Sequence, residues 1–351
     1  MFKRYLDSQQ LNEWHNLVDS AKRIVIVGHT SPDGDALGAS LALWHWLKGK
    51  NKDVTVVMPN MFPDFLKWLP GANEVIQAAT RHAATRQAFN GCDLVMCMDF
   101  NGLGRLDNLE HNVTLSGAKC IMIDHHLCPE PFAALSVSDA KACSTCEIVF
   151  YLLWQLGDFD DLTEECATCL YCGMMTDTGG FTYNSTRPEI YSVIAQLLTK
   201  GIDKDKIYRN VYHNYSVDRM RLVGYVLDRK MEYFSDLHAS LLTLTKEEMT
   251  AYHFIKGDAE GLVNMPLEIK DTKLSISLRE DTEKPLVRVS LRSVDGFPCN
   301  KMAEQFFNGG GHLNASGGSL AMSMEDAVVE TKKALEAYRD LLADSKNVEN
   351  A

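Results

Sequence analysis

Four stretches of this sequence carry carboxylates and imidazoles in an order that could hold hard cations. They are His29-Thr30-Ser31-Pro32-Asp33-Gly34-Asp35, the single acid Asp99, the triplet Asp124-His125-His126, and Asp177 within Thr176-Asp177-Thr178-Gly179. The first three each follow a short apolar run, and Asp177 closes a helical pattern. In open α/β sheets, ligands bind in the crevice beyond the carboxyl ends of the strands, so these groups are expected to converge. Four or five carboxylates and two or three imidazoles exceed what one cation needs. Like charges crowded into one crevice are costly unless cations neutralise them. Oxygen and nitrogen ligands without thiolate suit Mn²⁺ or a similar divalent ion better than a structural cysteine-zinc site. Two such ions about 3.5–4 Å apart activate a water and clamp a phosphoryl group. Taken alone, His-x-x-x-Asp is more often a turn and a cap, and Asp35 could simply cap a helix beginning at Ala36. The recurrence at matching strand ends is what favours a dinuclear centre.

The elements that must position these residues are legible. Ile24–Val27, Val54–Val57, Leu94–Met98 and Cys120–Ile123 are continuous apolar runs, the pattern of parallel strands covered on both faces. Helical patterns at Ala36–Leu47 and Thr80–Phe89, with a short turn near Phe62–Leu69, alternate with them, which predicts an α/β fold with a mainly parallel sheet flanked by helices. Ser144–Leu156, Thr163–Met175 and Glu189–Leu198 continue as helices. After about residue 230, short strands at Leu237–Leu244, Lys273–Leu278 and Leu286–Leu291, with helices at Asn300–Phe307 and Glu325–Leu342, predict a smaller α/β domain. The expected division is a metal-bearing domain at 1–215, a connecting helix at 216–235, a second domain at 236–343 and a polar tail at 344–351.

Composition bounds the answer. With 351 residues, 46% of them hydrophobic, two domains can each bury a core. A net charge of −12 argues against a coat for long nucleic acid but not against a short anionic substrate. No apolar run reaches the ~18 residues of a spanning helix, and no signal-peptide core follows the N-terminus. The ten cysteines are therefore expected to be reduced thiols in a cytoplasmic protein. Cys166, Cys169 and Cys172 share a helix face and are expected to pack rather than bind iron–sulfur.

The four motifs resemble those of the DHH phosphoesterase superfamily. Asn308-Gly309-Gly310-Gly311-His312-Leu313-Asn314-Ala315-Ser316-Gly317-Gly318 resembles the glycine-rich signature of the DHH-associated domain. The resemblance implies an Mn²⁺-dependent phosphoesterase of two domains with a cleft between them. It implies one ion on His29, Asp33 and Asp99, and another on Asp35, Asp99, His125 and Asp177. Asp124 would orient the neighbouring imidazoles, and His126 would face the scissile phosphate while a hydroxide held by the two ions attacks. Arg292, Gly310, Gly311 and His312 would hold the far end of the substrate. The chemistry of these types agrees: glycines let backbone N–H groups approach phosphate oxygens, and arginine pairs with a phosphate through two bonds.

Length and missing parts point within the superfamily to the nano-RNase and pAp-phosphatase (NrnA-like) type, also called exopolyphosphatase-related. That type implies short oligoribonucleotides or 3′-phosphoadenosine 5′-phosphate (pAp) as substrate, no long duplex, no membrane, and a homodimer left open. Cyclic or linear dinucleotide and polyphosphate hydrolysis are alternatives. A non-catalytic nucleotide-binding regulator is the alternative of another class. One departure stands out: relatives often carry an arginine near the position of Thr182, and here either Arg187 replaces it or substrate preference differs.

Overall fold

The computed structural model describes residues 3–255 and 257–343, so the expected tail at 344–351 lies outside the described residues. The chain divides into two compact units, Met1–Asn214 and Tyr215–Ala351.

In the first unit the strands are β1 (Arg23–Gly28), β2 (Asp53–Met58), β3 (Ile76–Gln77), β4 (Leu94–Met98), β5 (Lys119–Asp124) and β6 (Leu135–Ser138). All pair in parallel, in the order β3-β2-β1-β4-β5-β6. The order in which strands are added reverses between β1 and β4, and beyond that point lies the ligand crevice of such sheets. The helices are α1 (Ser8–Ser20), α2 (Gly34–Gly49), α3 (His82–Phe89), α4 (Leu109–Ser116), α5 (Thr145–Gln155), α6 (Glu164–Asp177), α7 (Pro188–Leu198) and α8 (Lys204–Tyr212). Because successive strand residues face opposite sides, the apolar runs feed two cores. Ile24, Ile26, Met96 and Ile123 pack with α2, α5 and α6 on one face. Val25, Val27, Val95 and Met122 pack with Ala88, Phe89 and Val113 of α3 and α4 on the other. Cys166, Cys169 and Cys172 are buried thiols in the first of these cores, and all ten cysteines are free.

The helix after β1 begins at Gly34, not Ala36, and its cap is Asp33: Oδ1 accepts from the N–H groups of Asp35 and Ala36, both at 3.0 Å. Asp35 lies inside the first turn, past the cap position, and is left for another role.

The second unit holds β7 (Glu232–Phe234), β8 (Ala239–Leu244), β9 (Leu274–Glu280), β10 (Val287–Ser293), β11 (Gly310–His312) and β12 (Ala315–Leu320), in the order β11-β12-β10-β9-β8-β7. Only β8 and β9 run parallel among these pairs. Its helices are α9 (Val217–Tyr225), α10 (Lys246–Ala251), α11 (Cys299–Phe306), α12 (Met324–Ala337) and α13 (Arg339–Ala343). Ile276, Val289 and Leu291 face Met302, Ala327 and Ala334 of α11 and α12. Leu222, Val223 and Val226 cover Leu242 and Leu244 on the opposite face, so the connecting helix docks within this unit. That helix ends at Tyr225 and widens into a π turn over Val226–Lys230 before β7. The glycine-rich segment forms a strand pair, where a loop is the simpler expectation. Among the described residues no helix is long and apolar enough to cross a membrane.

Candidate metal centre and phosphate-handling residues

The sheet delivers each candidate ligand to the same edge. His29 follows the last residue of β1, Asp99 follows β4, and Asp124 ends β5 with His125 and His126 behind it. Asp35 stands in the first turn of α2, and Asp177 is the last residue of α6. These elements bring together three overlapping groups: His29, Asp33 and Asp99; Asp35, His125 and Asp177; and Asp99, His125 and His126.

Asp99 is the pivot. Its Oδ2 lies 3.5 Å from His29 Nε2, and its Oδ1 lies 3.5 Å from His125 Nε2 and 3.8 Å from His126 Nδ1. His29 Nε2 also faces Asp33 Oδ2 at 3.8 Å. His125 Nε2 faces Asp177 Oδ2 at 3.5 Å and Asp35 Oδ2 at 3.9 Å. Asp99 has a φ of +64°, a left-handed conformation sparsely populated by residues other than glycine. Backbone strain of this kind survives where surrounding structure overrides it. Here its N–H donates to the Ile123 carbonyl at 2.9 Å, tying the end of β4 to β5.

The donor set fits divalent cations on three counts. First, His29 and His125 each turn Nδ1 to a backbone carbonyl, Thr30 at 2.8 Å and Ala142 at 3.4 Å, and present Nε2 to the carboxylates. Fixing one ring nitrogen so that the other can ligate is the usual support of a metal-bound imidazole. Second, the acids are crowded beyond what they can neutralise themselves. Burial and then the charge of Asp99 raise the Asp35 carboxyl to about 7, and burial with the Asp35 charge pushes Asp177 well up. For Asp99, burial acts upward, but the hydrogen bond from His29 and the His125 charge outweigh it and hold the group low. Burial disfavours the charged forms of His29 and His125, yet the surrounding aspartates raise both to about 9. Third, Asp124 is fully buried, and its Oδ2 has no hydrogen-bond partner while Oδ1 sits 2.7 Å from His126 Nδ1. A buried carboxylate oxygen left unpaired calls for a cation or a water. Asp124 thus holds His126, whereas His125 is oriented by Ala142.

The helix expected at Ser144–Leu156 is present as α5, but sequence reasoning missed what its N-terminus does. Ser144 caps it, and the first two amides of the helix, Thr145 and Cys146, donate to the Asp35 carboxylate at 2.6 and 2.9 Å. The positive end of the helix dipole thereby supports the acid cluster from below. The Thr145 hydroxyl donates to Asp99 Oδ1 at 2.8 Å. The visible signal was Ser144-Thr145-Cys146-Glu147, a Ser-x-x-Glu helix start. Glu147, fully buried, accepts from Cys143 N–H at 2.7 Å and pairs with Arg187 at 2.5 Å. Arg187, the replacement offered for an arginine near Thr182, is paired with Glu147.

In the second unit, Arg292 and His312 both lie directly opposite Ala315, on β10 and β11 either side of β12. Directly opposed residues share a sheet face, so the two side chains stand in one row. Arg292 Nη1 donates to the Leu291 carbonyl at 2.9 Å, and His312 is exposed. Gly310 and Gly311 lie on β11, an edge strand whose outer backbone groups have no strand partner. Gly311, with a φ of +143°, passes so close to β12 that a Cβ would sit 2.6 Å from the Ala315 carbonyl oxygen.

Comparison with known proteins accords with this geometry. Residues 23–174 match the DHH family, N-terminal domain, and residues 249–342 match the DHHA1 domain. The Thermus thermophilus protein named bifunctional oligoribonuclease and PAP phosphatase NrnA is 31% identical over 91% of this chain and 90% of its own. A Streptococcus mutans protein named as a probable enzyme of the same kind is 28% identical over 89% of this chain and 94% of its own. The crystal structure of an exopolyphosphatase-related protein from Bacteroides fragilis superposes with a TM-score of 0.93 at 48% identity, covering 97% of this chain and 100% of that one. The chain belongs to the DHH family, as an NrnA-like phosphoesterase hydrolase carrying a DHHA1 domain.

Proposed function

We propose that this protein hydrolyses short oligoribonucleotides and the 3′-phosphate of pAp, with two divalent cations, Mn²⁺ foremost, held at the acid–imidazole cluster. The observation that carries this reading is the overlap of ligand groups on one carboxylate: Asp99 belongs to two of the three, and His125 links the second and third. In this reading His29, Asp33 and Asp99 hold one ion, and Asp35, Asp99, His125 and Asp177 hold the other. When bound, two such ions lower the pKa of a water and neutralise charge building on a phosphoryl group.

The chain's own residues do the rest. The Thr30 and Ala142 carbonyls keep Nδ1 of His29 and His125 protonated, so that Nε2 remains a ligand. Asp124 does the same for His126, whose chemistry toward the substrate then runs through Nε2, stabilising charge on a phosphoryl oxygen or giving a proton to the leaving oxygen. Burial of His29, Asp35, Asp99 and His125 keeps bulk water from screening these interactions. Arg292 and His312, in one row of the second unit's sheet, are suited to bind a phosphate. An overall charge of −12 suits a short anion, whose binding does not rest on many phosphate contacts. The names borne by the Thermus and Streptococcus relatives support the same substrates.

The test is one panel: purified protein with Mn²⁺, Mg²⁺ or a chelator, offered pAp, two- to five-residue RNAs, long RNA, cyclic dinucleotide and polyphosphate. The expected order places pAp and the shortest RNAs highest in kcat/KM, with activity lost to the chelator. A preference for long RNA or polyphosphate, or activity indifferent to chelation, overturns the reading.

A further inference from the structure

Beyond Asp177 the chain closes into a tight loop that the metal chemistry does not require. The N–H groups of Gly179 and Gly180 donate to the Thr176 and Met175 carbonyls at 3.2 and 2.7 Å. Those of Thr182 and Tyr183 both donate to the Thr178 carbonyl, at 2.9 and 3.2 Å. Thr178 Oγ1 accepts from Phe181 N–H at 3.1 Å, and Thr182 Oγ1 donates to the Gly179 carbonyl at 2.8 Å. Gly179, Gly180, Phe181 and Asn184 all have positive φ, +54°, +74°, +67° and +47°. A left-handed conformation at a bulky aromatic is costly, and here it is held by Phe181 packing on Tyr171 with centroids 5.6 Å apart.

What this strained loop, its amides from Gly179 to Tyr183 all hydrogen-bonded, presents is Tyr183. Half of the residue, 50%, is exposed, yet its ring lies against the Gly179 backbone so closely that a Cβ there would collide with it. The ring is therefore fixed on one side, against a glycine two residues after Asp177, while much of it faces solvent. Resting on the reading of the site as a nucleotide phosphoesterase, we infer that Tyr183 is a stacking platform for the base of the nucleotide whose phosphate reacts. Every base has a π-face, so stacking binds a nucleotide without reading its identity. It also costs little when the aromatic is already rigid.

Tyr183→Ala and Tyr183→Phe test this. With diadenylate as substrate, Tyr183→Ala is expected to raise KM about tenfold while kcat stays within about twofold. Inhibition by AMP should weaken toward that by ribose 5-phosphate, which has no base and should be unaffected. Quenching of 2-aminopurine riboside 5′-monophosphate fluorescence on binding should be lost in Tyr183→Ala and kept in Tyr183→Phe. Unchanged KM and quenching in Tyr183→Ala, or equal losses in both variants, overturn the inference. Wild-type protein that hydrolyses no nucleotide refutes the proposed function itself. Wild-type protein that does, beside an indistinguishable Tyr183→Ala, refutes only the platform.

Discussion

Asp99 concentrates the chemistry of this molecule in one side chain, with His29 on one oxygen and His125 and Thr145 on the other. Asp99→Asn keeps the shape but removes the charge both ions would share. Turnover is expected to vanish and calorimetric titration to show both ions weakened; wild-type activity would sink the dinuclear reading. Thr145→Val removes only the orienting hydroxyl. Supporting hydrogen bonds of this kind are worth about 10–100-fold in metal affinity, and a loss in that range is the expected outcome, with unaltered affinity leaving Thr145 a mere packing residue. Arg292→Ala should raise KM for nucleotides at normal metal content, since Arg292 lies in the second unit and belongs to none of the ligand groups. Loss of bound metal in that variant would show the assignment to substrate to be mistaken. The candidate ligands His29, Asp99 and His125 were legible because each stands just beyond an apolar run with the pattern of a strand, and Asp177 because it closes a helical one. Thr145 was not, because its partner lies 46 positions away and nothing local marks a hydroxyl that bonds to it.

Elements set the distances between those residues through close packing. Helices α2 and α6 bring Asp35 and Asp177 together, and they can do so because Gly38 and Gly173 face the contact. A Cβ on Gly38 would sit 2.6 Å from the Cys169 carbonyl, and one on Gly173 would strike Cys146 Sγ. Gly38→Ala is therefore expected to destabilise the protein by about 1–3 kcal/mol through overpacking, measured by denaturant titration. Metal affinity should fall with it, because the helices must part; a silent substitution would mean the contact is softer than it looks. The β9–β10 hairpin is fastened by Asp281, whose carboxylate accepts from Glu283 and Lys284 N–H at 2.9 and 2.8 Å and from Arg288 Nε at 2.6 Å. Burial works against that charge, but the Arg288 hydrogen bond and the two amides win and lower its pKa from 3.8 to about 2. A depressed carboxyl contributes stability above its unfolded pKa and loses it as pH falls through the folded value. On the order of 2 kcal/mol should thus disappear between pH 4 and about 2, and Asp281→Asn should flatten that part of the acid-unfolding curve. Among elements, the apolar strands and long helices were readable from periodicity. The β11–β12 pair was not, since glycine-rich segments have low strand propensity and pair here only because the missing side chains let two backbones approach.

At the scale of the whole chain, chemistry is unevenly shared. All three ligand groups found among the described residues lie in the first unit, and the second contributes a polar sheet row bearing Arg292 and His312. The signal for a second domain was the change after residue 230 from continuous apolar runs to short, often alternating strands. The connecting helix was readable as a helix but not as a part of the second core, which depends on Leu222 and Val226 meeting Leu242 and Leu244. This division makes a thermodynamic prediction. A ligand that binds only the folded state stabilises by RT ln(1 + [L]/Kd), about 2.7 kcal/mol at a hundredfold excess over Kd. For a unit of this size that corresponds to roughly 5–10 °C in Tm. Mn²⁺ should therefore raise the calorimetric transition of the first unit by that amount and leave the second unit's transition in place. A chelator should reverse the shift, and Asp99→Asn should abolish it. Equal shifts in both transitions would mean that the metal acts on the chain as a whole, against the confinement of its ligands to residues 29–177.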